Sequence, residues 1–236
     1  MAALLSAIAW PLLFAIITFV YRNEFRLSLE QLPRLMRRAE KAKLGMLEIE
    51  LRKQAYDAAE TDDLGKGQVS VEQISSAAKV EVVSKDIGLK PLKDQIDRLC
   101  IEYEIVRETL PSGDKRTKAM NRIMAQMRVI GPSVSVLLDD LKNSQSAGER
   151  LAAIAIMQME PKRADLKWLE LRFGNESPFI FYQVALLLQT LSQARPDLKL
   201  SVIDVAERAC DIVKGFSGIP DLSTLDVLKS IIAEVH

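Results

Sequence analysis

Lys115, Arg116, Lys118 and Arg122 crowd four cations into one short stretch. Lys115, Lys118 and Arg122 step by three and four, the spacing that puts side chains on one face of a helix. Arg116 and Arg128 fall to the sides of that face. Guanidinium forks and ammonium point charges on a single face are the chemistry of phosphate binding, with a nucleotide messenger or an oligonucleotide as ligand. The other use of such a face is as solvated surface. Arg150, beside Glu149 at a helix start, is expected to pair with Asp139, Asp140 or Glu176 rather than to take part in catalysis. Met120, Met124, Met127, Met157 and Met159 read as core filler, since the unbranched thioether packs irregular gaps.

Acid–base and metal chemistry find little to use. The one histidine is His236, the last residue. Cys100 and Cys210 lie far apart within apolar helical patterns, as buried free thiols in a reducing compartment do. Neither a GxxxxGK[ST] loop, a GxGxxG turn nor a GxSxG elbow occurs. No catalytic, metal or cofactor residues are therefore expected, and the chain is read as a non-enzyme. A formal net charge of zero argues against general nucleic-acid binding, leaving an oligonucleotide only as a discrete ligand.

Helices must position these groups. Leu92, Ile96, Leu99, Tyr103, Val106 and Leu110 step 4-3-4-3-4, and Pro111-Ser112-Gly113 ends that helix. A second helix covers Lys115–Val129, and Pro132 opens a short one through Leu141. Ser146 to Glu149 has the spacing of a capping box, starting a nearly all-apolar helix to Met159. Leu166, Trp168, Leu169 and Leu171 form the next element. Ser177-Pro178 is an N-cap followed by proline at the first helical position, opening Phe179–Leu191. Pro196 begins a helix to Val213, and Ser223-x-x-Asp226 signals the last. The pattern predicts an all-α fold, a bundle or a short HEAT-like stack over residues 85–236. Residues 55–84, rich in Ser, Gly and Asp, read as a flexible linker with a short helix near Val71–Val80. Met46–Leu51 alternates apolar and acidic, the pattern of a short strand.

The N-terminal segment sets the expected location. Ala3 to Val20 carries no charge, and about 18 residues at 1.5 Å rise make roughly 27 Å of helix, close to the ~30 Å of a hydrocarbon core. Leu4, Phe14 and Val20 are among its strong inserters, Trp10 and Pro11 shape it, and Tyr21 sits at the inner interface. Residues 1–21 are thus expected to form a transmembrane helix, rather than a cleaved signal peptide or a buried core helix. Residues 22–54 form a basic juxtamembrane segment with Phe25, Leu29, Leu32 and Met36 on one helical face. Nine basic residues against five acidic ones between Arg22 and Lys53 put the N-terminus outside and the remainder in the cytoplasm. Ala3 and Ala7 have the small-xxx-small spacing that permits close helix approach, and hence a homo-oligomer.

Five stretches carry a resemblance: YEIVRETLPSGDKRT (Tyr103–Thr117), Met127-Arg128, SAGERLAAIA (Ser146–Ala155), the Leu166/Trp168/Leu169 element and SPFIFYQVALLL (Ser177–Leu188). Residues 103–188 resemble a helical module found in uncharacterised bacterial single-pass membrane proteins, including ones encoded with signalling and anti-phage systems. The resemblance implies capping and packing roles for these words, and no catalysis. With the apolar segment, it leads to a membrane-anchored sensor or effector of the bacterial inner membrane. Its cytoplasmic domain would bind an anionic small ligand or a partner protein and control assembly of the spans, as a pore or another disruption of the bilayer. The alternative is a single-pass scaffold that docks a cytoplasmic protein.

Overall fold

A short polar residue fixes where the helix from Val71 begins. Ser70 accepts a hydrogen bond from the amide of Gln73 at 3.2 Å, and the Gln73 side chain accepts from the amide of Ser70 at 3.4 Å, a reciprocal cap. The computed structural model describes residues 41–42, 45–50, 53, 68–215 and 221–233. The apolar segment with Leu4, Trp10, Pro11, Phe14, Val20 and Tyr21 lies outside them, as does the basic stretch through residue 40. Among the described residues every regular element is helical, as expected of an all-α chain. None of these helices is long and apolar enough to cross a membrane.

The chain divides into a unit ending at Met46 and a unit from Leu47 onward. In the first, residues 41–42 and 45–46 are helical. The second contains α1 (Val71–Ile87), α2 (Leu89–Thr109), α3 (Asp114–Ile130), α4 (Leu138–Lys142) and α5 (Ala147–Met159). These are followed by α6 (Leu166–Glu170), α7 (Arg172–Asn175), α8 (Pro178–Ala194), α9 (Lys199–Gly215) and α10 (Leu222–Ala233). Short 3-10 turns at Gly131–Leu137, Pro161–Arg163 and Pro196–Leu198 join them, each with proline in its first two positions. The result is a helical bundle in which α5 packs on α2, α3 and α8, and α8 in turn packs on α9 and α10.

The middle of the bundle follows from composition. Every residue of α5 from Leu151 to Gln158 is buried, as the all-round apolar pattern requires. Its first turn crosses α2 so closely that a Cβ on Gly148 would lie 2.3 Å from the carbonyl oxygen of Cys100, so only glycine fits there. Ser146 caps α5 by accepting from the amide of Glu149 at 3.1 Å and donates its hydroxyl to Glu104 of α2 at 2.6 Å. Only the serine half of the expected capping box forms. Arg150 reaches Glu176 through two guanidinium nitrogens, Nε and Nη2, the latter at 3.1 Å, and Arg172 meets the same carboxylate at 3.1 Å. Of the three partners expected for Arg150, Glu176 is the one used. The Met120, Met124, Met127 and Met157 side chains are buried in the core, and Met159 is half-buried.

One polar knot interrupts this core. Arg128 of α3 is only 4% exposed. Its guanidinium donates to Gln158 of α5 at 2.7 Å, Gln183 of α8 at 3.0 Å and Gln73 of α1 at 3.4 Å, and to the carbonyl of Gln68 at 3.5 Å. Gln158 also donates to the carbonyl of Gln183 at 2.8 Å, which fixes its amide orientation.

Three local expectations are corrected. The linker over 55–84 does not extend past Ser70, because α1 occupies Val71–Ile87 and buries Gln73, Ser76, Ala77 and Val80. That face is half polar, with Gln73 bonded to Arg128 and Ser76 to Glu50, so apolar periodicity does not reveal it. The strand at Met46–Leu51 is replaced by helical residues 45–50. Helical spacing turns Leu47 into the core and brings Glu50 to the Ser76 hydroxyl and Lys79 of α1, while Ile49 stays exposed. At α10 the cap is Asp221 rather than Ser223, accepting from the amide of Thr224 at 3.4 Å and its hydroxyl at 2.6 Å.

The knot makes a prediction about stability. Gln158→Leu strips an acceptor from a buried cation and should cost about 2–4 kcal/mol in urea unfolding of the full chain. Adding Arg128→Met removes the stranded charge and should recover at least half of that loss; no recovery would show that the cost lies in packing instead.

Candidate functional site

The ends of four helices meet around a cleft of about 350 Å³. The last turn of α2 supplies Arg107, and the first turns of α3 supply Arg116, Thr117, Met120 and Asn121. The start of α8 supplies Ser177, Pro178, Phe179 and Tyr182, and that of α10 supplies Asp221 and Ser223. Helix ends are where unsatisfied backbone groups concentrate, and the three N-termini of α3, α8 and α10 bring partial positive charge.

Local sequence explains each placement. Gly113, at φ 142°, makes the backbone turn between α2 and α3 that other residues rarely adopt. Arg116 folds back over this turn, donating to the Ser112 hydroxyl at 2.6 Å and the Leu110 carbonyl at 3.5 Å. The Arg107 guanidinium sits 5.9 Å from the ring centroid of Tyr103, one turn earlier. Tyr103 is buried, and its ring packs against Phe179 at 6.0 Å between centroids. Burial raises the Tyr103 phenol above its ordinary range, with Ser177 and Arg107 working against that shift.

Ser177 occupies the N-cap of α8 with proline after it, as expected, but its side chain makes no capping hydrogen bond. The hydroxyl lies 3.4 Å from the Tyr103 hydroxyl instead. The helix therefore starts without a serine oxygen on its first amides. Asp221 also lines the cleft, its carboxylate engaged in capping α10.

Of the four cations picked out by spacing, only Arg116 lines the cleft. Lys115 and Arg122 are exposed, and Lys118 is half-buried outside the cleft lining. Arg128 points the other way, into the knot. Sequence reasoning missed Arg107, Asn121, Tyr182 and Asp221 as a group because they come from separate helices. The start of α8 connects the two polar regions: Tyr182 lines the cleft, and the next residue, Gln183, accepts from Arg128, whose guanidinium burial pushes down to about 10.

The thiols lie elsewhere and are protected. Burial pushes the Cys100 thiol from an ordinary 9.0 up to about 12, and raises Cys210 as well. An acid whose pKa is raised on folding favours the fold while it is protonated. Its contribution is therefore full below pH 9 and is lost as pH rises toward 12. Both cysteines should resist Ellman's reagent at pH 8 in the folded chain and react together in guanidinium; one rapid reaction in the fold would contradict this burial.

Comparison with family models, with curated proteins and with solved structures finds no match to this chain.

Proposed function

We propose that this chain is a membrane-anchored, non-enzymatic sensor or effector of a bacterial stress or defence system. Its helical domain binds a small anion and controls assembly of the N-terminal spans. The observation that carries this reading is the cleft, because a ligand there touches the early helices α2 and α3 and the late helices α8 and α10 at once. On one side stand Arg107 and Arg116, and on the other the first turns of α8 and α10. Tyr182 of α8 lines that cleft, and its neighbour Gln183 accepts from Arg128, whose guanidinium also holds Gln73 on α1. Packed groups in series are a physical route by which occupancy can bias a distant element. The apolar Ala3–Val20 segment supplies the span, and clustering of the domains would make weak contacts between spans effective through high local concentration.

The scaffold reading has its own support. Val71, Ile74 and Val82 face outward from α1 at 76%, 56% and 66% exposure, an apolar surface suited to a partner protein. On that reading the span only localises the domain.

Expression in bacteria separates the two. An effector should depolarise the cell membrane and give cross-linked oligomers, and Leu12→Asp with Ile16→Asp, which blocks insertion, should abolish both. A scaffold gives neither effect in either form. Full-length protein that stays monomeric and causes no ion leak in liposomes would contradict assembly.

A further inference from the structure

We infer that the cleft takes a small phosphorylated ligand bearing a planar ring, of the size and chemistry of a nucleoside monophosphate. This rests on the sensor reading and narrows it to a ligand class. At about 350 Å³ the cleft falls at the lower end of small-molecule sites, too small for an extended polymer. Its charged lining is two guanidiniums and one carboxylate: Arg107 from α2, Arg116 from α3 and Asp221 from α10.

Two guanidiniums on separate helices can converge on one phosphate, each supplying planar paired donors. The amides of Phe179 and Ile180 at the start of α8 lack the serine oxygen that would cap them, since Ser177 faces Tyr103. A phosphate oxygen is the acceptor such a helix start favours. The aromatic members Phe179 and Tyr182 give the same cleft planar apolar surface, and Asn121 offers both a donor and an acceptor to a ring edge. Asp221 limits the phosphate count. One phosphate is balanced by two arginines, whereas the further charges of a triphosphate would meet the carboxylate. Asp221 is also an acceptor for a sugar hydroxyl.

The test is titration calorimetry on the full chain in detergent micelles, with AMP, ATP, adenosine and inorganic phosphate as probes. AMP should bind, and the other three should each bind about tenfold or more weakly, since each lacks a contact or adds a repulsion. Arg107→Ala and Arg116→Ala should each weaken AMP about tenfold or more. Arg116 also braces the α2–α3 turn, so Arg107→Ala, on an exposed residue, carries the result if Arg116→Ala unfolds. AMP affinity should fall as salt rises. Absence of AMP binding, phosphate binding as tightly as AMP, or unchanged affinity in Arg107→Ala would each overturn the inference. Light scattering on the same samples keeps the two readings apart. AMP bound without any change in oligomeric state would defeat assembly and leave the ligand class standing. Oligomers forming without AMP binding would do the reverse.

Discussion

A guanidinium sealed from water must be surrounded by oxygen, and that demand at Arg128 organises the bundle. A charge buried without acceptors costs several kcal/mol, so the helices around it are committed to supplying them. Three do so with glutamine side chains: Gln73 from α1, Gln158 from α5 and Gln183 from α8. Because these side chains bond to one group, the three helices and α3 are fixed in mutual register. An apolar core alone tolerates sliding more readily than a set of directional hydrogen bonds does. Even with its pKa lowered to about 10, Arg128 stays charged at neutral pH, so the demand persists under physiological conditions.

A second constraint acts at the opposite end of α5. Gly148 lets that helix start against the backbone of α2, and the Ser146 hydroxyl ties it to Glu104. Arg150 and Arg172 share the carboxylate of Glu176, two residues before the start of α8. The polar words in the SAGER and ESPF stretches thus set where helices cross and begin. The cleft is a consequence of those crossings: once α2, α3, α8 and α10 are placed, their ends enclose Arg107, Arg116 and the aromatic pair.

What was legible in the residues follows from what each pattern measures. Apolar periodicity found α2 and α3, which present an apolar stripe to the core, and cap signals ahead of nearly all-apolar runs found α5 and α8. Periodicity missed the extent of α1, whose buried face includes Gln73 and Ser76 and whose outward face carries Val71, Ile74 and Val82. Proline and serine located the start of α8, yet the hydroxyl of Ser177 serves Tyr103 rather than the helix. Charge spacing on one helix picked Lys115, Arg116, Lys118 and Arg122, and a cleft built from four helix ends retains only Arg116. Spacing reports which residues share a face. It carries no information on which faces meet, so Arg107 and Asp221, far apart in the chain, gave no common signal. The transmembrane assignment rests on length and hydropathy of residues outside those described here.

The central proposal is that the cleft and α1 communicate along α8, through the adjacent Tyr182 and Gln183, and then through Arg128. Amide hydrogen exchange of the full chain, with and without AMP, tests it most directly. The account predicts added protection at the first turn of α8 and also along Val71–Ile87, which contributes no residue to the cleft. Protection confined to residues lining the cleft, with α1 unchanged, would contradict it.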